Sequence, residues 1–164
     1  MILWFAGTAF VAVWAVFKDP AIDYRLIMAG ALVPDAVDVA TGGRWIGHTV
    51  LFSIVLLAVV MLTTQRRRLV RRRLLAIPIG TFLHLVFDGM WADRRTFWWP
   101  AFGTSFHGAL PSVARGAFDV LLELAGLALL TWGWRRFRLA EPARRQQFLR
   151  TGRLGRDLAD RPRW

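Results

Sequence analysis

Five acidic residues, Asp35, Asp38, Asp88, Asp119 and Glu123, lie inside long apolar stretches of the sequence, and His48 and His84 accompany them. An ionised side chain within a membrane span costs at least ~2.5–3.5 kcal/mol on insertion scales, so each such group needs a partner or a function. The spacings are those of helix faces. His84 and Asp88 are four residues apart, Asp119 and Glu123 repeat that interval, and Asp35 and Asp38 are three apart. Residues at these intervals share a face and can reach one ion or one substrate. Helical bundles build metal sites by facing such pairs across neighbouring helices. Imidazole nitrogen combined with carboxylate oxygen suits zinc, manganese or iron. The predicted site is therefore a polar, metal-binding one. A divalent ion, zinc or manganese by donor type, would be held by Asp35, Asp38, His84 and Asp88 and would acidify a bound water. Glu123 or Asp119 would take the proton as general base, and His48 would complete the shell or protonate a leaving group.

The elements that must position these groups are apolar helices. Hydrophobic residues make up 55% of the 164, with nine Trp and twelve Phe, which is too apolar for an ordinary soluble domain. Apolar segments run over about Ile2–Phe17, Leu26–Thr41, His48–Thr63, Leu74–Trp91 and Val113–Trp134. A span needs roughly 20 apolar residues; the last three segments approach that and the first two are short. The second also holds Pro34 and two carboxylates, which marks it as a broken or re-entrant helix. The expected fold is all-α: a polytopic membrane bundle of about five transmembrane or re-entrant helices over residues 1–138, then a basic, partly disordered tail over 139–164. There is no Cys, which excludes disulfides and thiolate metal sites.

The net charge of +11 belongs to topology. Arg66, Arg67, Arg68, Arg71, Arg72 and Arg73 crowd one turn; Arg135, Arg136, Arg138, Arg144 and Arg145 follow the fifth segment, and Lys18 and Arg25 lie between the first two. Simple alternation of five segments puts all three groups on one side, which the positive-inside rule makes cytoplasmic. The expected location is the inner or plasma membrane, with the N-terminus outside and the C-terminus inside. The first segment lacks a basic leader and does not read as a cleavable signal peptide. With this orientation the carboxylates and both histidines fall in the outer half. The partners implied are the bilayer itself and anionic lipids at the Arg-rich cytoplasmic face. No nucleic-acid motif is present, and no signal specifies an oligomeric state.

The motifs resemble those of a family of bacterial inner-membrane proteins, the membrane-bound metal-dependent hydrolases. Gly30-Ala31-Leu32-Val33-Pro34-Asp35-Ala36-Val37-Asp38 is similar to a G-x-x-x-P-D-x-D-H type segment, and Gly47-His48-Thr49 to the end of an H-R-G-x-T-H-S stretch. Gly80–Asp88 is similar to a G-x-x-x-H-x-x-x-D helix, and Trp98-Trp99-Pro100 to the W-P that follows. The resemblance spans roughly residues 26 to 103 in the right order. It implies a polytopic helical fold and a metal site at the matched Asp and His positions. This chain departs from the pattern in spacing its acidic pair, Asp35 and Asp38, one residue further apart, with Val39 near the position of the following histidine, Gly43 in place of the first histidine of H-R-G-x-T-H-S, and Phe5 where an N-terminal histidine is often found.

Three functions from different classes fit these residues: a membrane hydrolase acting on a lipid-linked or phosphoester substrate, a small transporter or ion-binding protein, and a non-catalytic descendant whose polar cluster ties helices together. Plainer roles stand beside each site residue. His84 and Asp88 can form a structural ion pair, and Asp119 and Glu123 can pair with Arg115. Phe97, Trp98 and Trp99 read as an interfacial aromatic belt, and His107 as a loop residue. Arg44, Arg94 and Arg95 are the outer-side cations available to a phosphate.

Overall fold

A computed structural model describes residues 1–106 and 116–155, so His107 and Arg115 lie outside the described residues. The elements are all helical. The first apolar segment forms α1 (Ile2–Phe17), which ends at Lys18 in the left-handed region, its N–H closing on the Trp14 carbonyl. The second segment is broken, as its proline predicts, into α2 (Tyr24–Gly30) and α3 (Val33–Asp38). Pro34 has no N–H to give the carbonyl four residues back, and its ring crowds that carbonyl; the carbonyl is that of Gly30, where α2 stops.

Two single 3₁₀ turns, Val39–Thr41 and Ile46–His48, lead into α4 (Val50–Thr63). Thr49 caps it, its hydroxyl accepting from the Phe52 amide at 3.1 Å. The fourth apolar segment repeats the proline logic. Pro78 opposes the carbonyl of Leu74, and the helical path divides there into α5 (Arg68–Leu74) and α6 (Ala76–Phe87). A 3₁₀ turn at Met90–Ala92 and the short α7 (Arg94–Phe97) follow, then α8 (Ala117–Arg136) and α9 (Pro142–Thr151). By length and apolar composition α8 is the one described helix able to cross a membrane; α1 and α4 are apolar but shorter. At ~1.5 Å per residue α8 reaches about 30 Å and α4 about 21 Å. The expectation of about five spans is thus reduced to one helix of full length within an all-helical fold.

Two close crossings hold the helices. α2 and α6 meet at Gly30 and Gly80, where backbone touches backbone: a Cβ on Gly80 would overlap the Ile27 carbonyl oxygen, and one on Gly30 the Ile77 carbonyl oxygen. α1 and α8 meet the same way at Gly126, against the backbone of Leu3 and Trp4. Small residues at such crossings let helices approach closely enough for dense contact, which matters most where water cannot supply the driving force. The core between them is Phe5, Phe10, Val13, Tyr24, Ile27 and Phe137.

The segment after α8 packs onto this body. Leu139 and Leu154 are buried. The Tyr24 N–H donates to the Gly152 carbonyl at 3.0 Å, the Leu154 N–H to that of Pro20 at 2.9 Å, and the Arg25 guanidinium to that of Leu149. Residues 139–155 therefore dock against the α1–α2 turn. Asp23 organises this corner: it caps α2 and pairs with Arg25 at 3.1 Å and Arg73 at 2.9 Å. Burial pushes its carboxyl up, but the two guanidinium groups and the Leu26 amide outweigh that and hold it below the ordinary carboxylate range.

Candidate metal centre

The break between α2 and α3 builds the first half of the site. It leaves the Gly30 and Ala31 carbonyls facing α6, which answers them with two side chains three residues apart. Thr81 Oγ1 donates to the Gly30 carbonyl at 3.2 Å, and His84 Nδ1 lies 2.7 Å from that of Ala31. A carbonyl only accepts, so His84 Nδ1 carries the proton and, in the neutral ring, Nε2 presents a lone pair. The ring packs at a tilt against Phe5, whose centroid lies 3.8 Å away, and is buried. Phe5 thus stands beside His84, at a position where the resembled family often carries a histidine.

The second half comes from the loop before α4. His48 Nδ1 lies 2.6 Å from Asp38 Oδ2, and Asp38 also accepts the Trp45 N–H at 2.7 Å and the Gly47 N–H at 2.9 Å. Three donors on a carboxylate with no exposure compensate its burial. They also fix His48 in the same state as His84: Nδ1–H donated, Nε2 turned inward. The two Nε2 atoms face each other at 3.3 Å. Asp35, one helical turn before Asp38, brings Oδ1 to 3.5 Å from His48 Nε2 and 3.7 Å from His84 Nε2. Asp88, the C-cap of α6, places Oδ2 4.0 Å from His48 Nε2.

Asp35, His48 and His84 thus offer three ligand atoms within 4.8 Å of one another, a group able to hold a metal ion. Each imidazole donates its other N–H to a carboxylate or a backbone carbonyl, the arrangement that orients metal-ligating histidines. Both rings are buried, whereas the Asp35 side chain is 22% exposed.

The structure sorts the sequence-predicted residues by position. Asp35, His84 and His48 converge, with Asp88 at the edge of the group. Asp38 stands behind His48, its oxygens taken by two amides and the ring, so it orients a ligand where the sequence reading made it one. Glu123 is turned to the start of α1, where Oε2 accepts the Leu3 N–H at 2.8 Å; an acidic group suits the unpaired amides of a helix N-terminus. Asp119 occupies the first turn of α8. Arg44 pairs with Asp93 at 3.2 Å, and the Arg94 guanidinium lies over the Phe102 ring at 5.0 Å. Burial pushes the Asp93 carboxyl up, but hydrogen bonds from Thr96 and the Arg44 charge bring it below the ordinary range. Sequence reasoning missed the Ala31 carbonyl and the Trp45 and Gly47 amides, because backbone groups have no residue-type signature. The signal for Ala31 was Pro34, which dictates where the helix opens. Comparison with protein-family models, curated proteins and solved structures finds no match to this chain.

Proposed function

We propose that this protein is a multi-pass membrane hydrolase, a divergent relative of the membrane-bound metal-dependent hydrolases, with a divalent metal bound by His48, His84 and Asp35 near the extracytoplasmic face. The observation that carries the reading is the 3.3 Å approach of two imidazole Nε2 atoms whose Nδ1–H groups are both already donated. At that distance either a proton on one Nε2 or a cation between the two must offset the repulsion of their lone pairs, and a metal ion would engage both. Zinc–nitrogen bonds of ~2.0–2.1 Å in a tetrahedral site imply ligand separations of about 3.3–3.4 Å, which matches this pair and favours zinc.

When bound, the ion would supply an acidified water for attack on an ester. The chain's own residues do the rest. Asp38 and the Ala31 carbonyl hold the two rings in register, and Asp88 is the carboxylate placed to accept a proton at Oδ2. Glu123, engaged with the Leu3 amide, is not needed for that role. Three protein ligands, one of them partly exposed, would suit a catalytic rather than a structural site.

Membrane placement is supported by the surface. Ile54, Val55, Leu57, Val59 and Leu62 on α4, and Phe118, Val120, Leu121, Leu124 and Leu127 on α8, are exposed large apolar side chains. Exposed apolar side chains in this number on two helices are consistent with an apolar surrounding. The Arg66–Arg73 cluster sits beyond the far end of α4 from His48, about 21 Å along the axis, a separation that supports an orientation with the arginines inside and the metal group outside. A groove of about 600 Å³, lined by apolar side chains and Ser53, runs between α1, α4 and α6 from Phe17 up to Val50 and Leu83. It favours a lipid-linked substrate over a water-soluble one.

The test is metal content of the detergent-purified protein, by mass spectrometry, with His48→Ala and His84→Ala beside the wild type. About one zinc or manganese per chain, lost in both variants, supports the reading and directs an esterase and phosphatase screen. A folded wild type that binds no divalent metal after reloading refutes it. A proton shared between the two rings and Asp35 would then account for the same distances, as a transporter or a structural tie requires.

A further inference from the structure

At the opposite end of the helices from the histidines, a cavity of about 250 Å³ opens where three distant segments meet: the α1–α2 turn, α5, and the end of α9. Arg72, Arg73, Arg150 and Arg153 line it, with Asp23 the lining carboxylate. The two nearby acids are already claimed. Asp19 accepts Arg72 at 2.6 Å, and Asp23 accepts Arg73 and Arg25. Burial pushes both carboxyls up, but the Ala21 amide and Arg72 at Asp19, and Arg25 and Arg73 at Asp23, hold them below their ordinary range. Five guanidinium groups therefore share two carboxylates, and neither Arg150 nor Arg153 forms an ion pair with an acid among the described residues.

We propose that this cavity is a binding site for a phosphate group. The guanidinium is the side chain that matches phosphate oxygens with paired donors, and here the surplus lies on Arg150 and Arg153, in the C-terminal segment. The pocket is concave and assembled from three segments distant in sequence, around Asp23, Arg72 and Arg150, which distinguishes it from the arginines spread along the turn at Arg66–Arg68. Leu69, 83% exposed, stands on its lip and would enter the apolar layer if the phosphate belongs to a lipid headgroup. A bound phosphate would bridge α5 to the segment after α9 and fasten that segment to the α1–α2 turn.

The full chain would be assayed in neutral phosphatidylcholine nanodiscs, with phosphatidylglycerol added as the lipid probe and inorganic phosphate as the soluble one. Arg150→Gln with Arg153→Gln is set against a charge-matched control outside the cavity, Arg66→Gln with Arg67→Gln. Losing two guanidinium groups that would give paired donors to the phosphate, the cavity pair should weaken phosphatidylglycerol binding roughly ten- to thirty-fold, whereas the control, which loses only diffuse surface charge, should weaken it by less than about threefold. That result supports the site with a lipid source. Binding of inorganic phosphate with the same dependence on Arg150 and Arg153 supports it with a soluble source. Equal losses in both double variants, or no binding of either probe, overturn it. Should the cavity double variant not fold, Arg153→Gln alone carries the comparison, since Arg153 is exposed. None of these outcomes depends on metal at the other end of the molecule.

Discussion

His84 donates its Nδ1–H to the carbonyl of Ala31 at 2.7 Å, across the interruption between α2 and α3. This bond links a candidate ligand on one helix to a backbone group that an unbroken neighbouring helix would have kept for itself. The proline that breaks the helix is thus part of the metal group, though it touches no ion. Pro34→Ala would let the helix continue through Gly30. The expected outcome is a folded, helical protein that has lost metal affinity by about tenfold or more, in the range of lost supporting hydrogen bonds. Circular dichroism and metal titration check the two halves of that statement.

Asp38 supports His48 as Ala31 supports His84. Asp38→Asn keeps the size but weakens the charge-assisted bond to Nδ1 and misplaces a donor against the Trp45 or Gly47 amide. Metal affinity should fall by about 10–100-fold, while Asp35→Asn, altering a ligand directly, should cost at least as much. Isothermal titration with zinc on both variants ranks them. A null effect for Asp38→Asn would mean that the loop alone orients His48.

The crossing of α2 and α6 leaves no room for a side chain at Gly80. Gly80→Ala should separate the helices and destabilise the protein by about 1–3 kcal/mol, the usual cost of overpacking. The same change moves Ala31 away from His84, so metal loss should accompany the lowered thermal midpoint in detergent. Thr81→Val, which removes the hydroxyl bond to Gly30 without adding bulk, should cost only about 1 kcal/mol.

Acid should release the C-terminal segment before it unfolds the bundle. The Asp23 carboxyl titrates below its ordinary value in the folded protein, so its contribution is complete above the unfolded value near ~3.9 and is lost as pH falls through the folded one. Between about pH 5 and pH 8 the docking should be constant. Below ~pH 4, exchange of the Tyr24 and Leu154 amides, which bond Gly152 and Pro20, should accelerate ahead of the core helices. Asp23→Asn, which can still cap α2, should show fast exchange at neutral pH and lose the acid step.

Much of this was legible in residue types and intervals. Apolar runs separated by basic turns specify an all-helical chain, because only backbone-satisfied helices tolerate such sequences. Pro34 and Pro78 mark where helices divide, because a missing N–H acts locally and identically in any fold. The His84 and Asp35 positions followed from the cost of burying polar groups without a purpose. What the intervals could not decide is which carboxylate faces which ring. Asp35 and Asp38 sit three apart on one short helix, yet one turns to the two Nε2 atoms and the other to Nδ1 of His48, because the loop carrying Trp45 and Gly47 offers its amides to Asp38 alone. Asp119 and Glu123 have the spacing of a helix-face pair, but α8 packs on α1 through Gly126, and that contact turns Glu123 to the amide of Leu3. Spacing along one helix is a property of the chain. The partner across the interface is set by crossings such as Gly30 on Gly80, which only the tertiary structure contains.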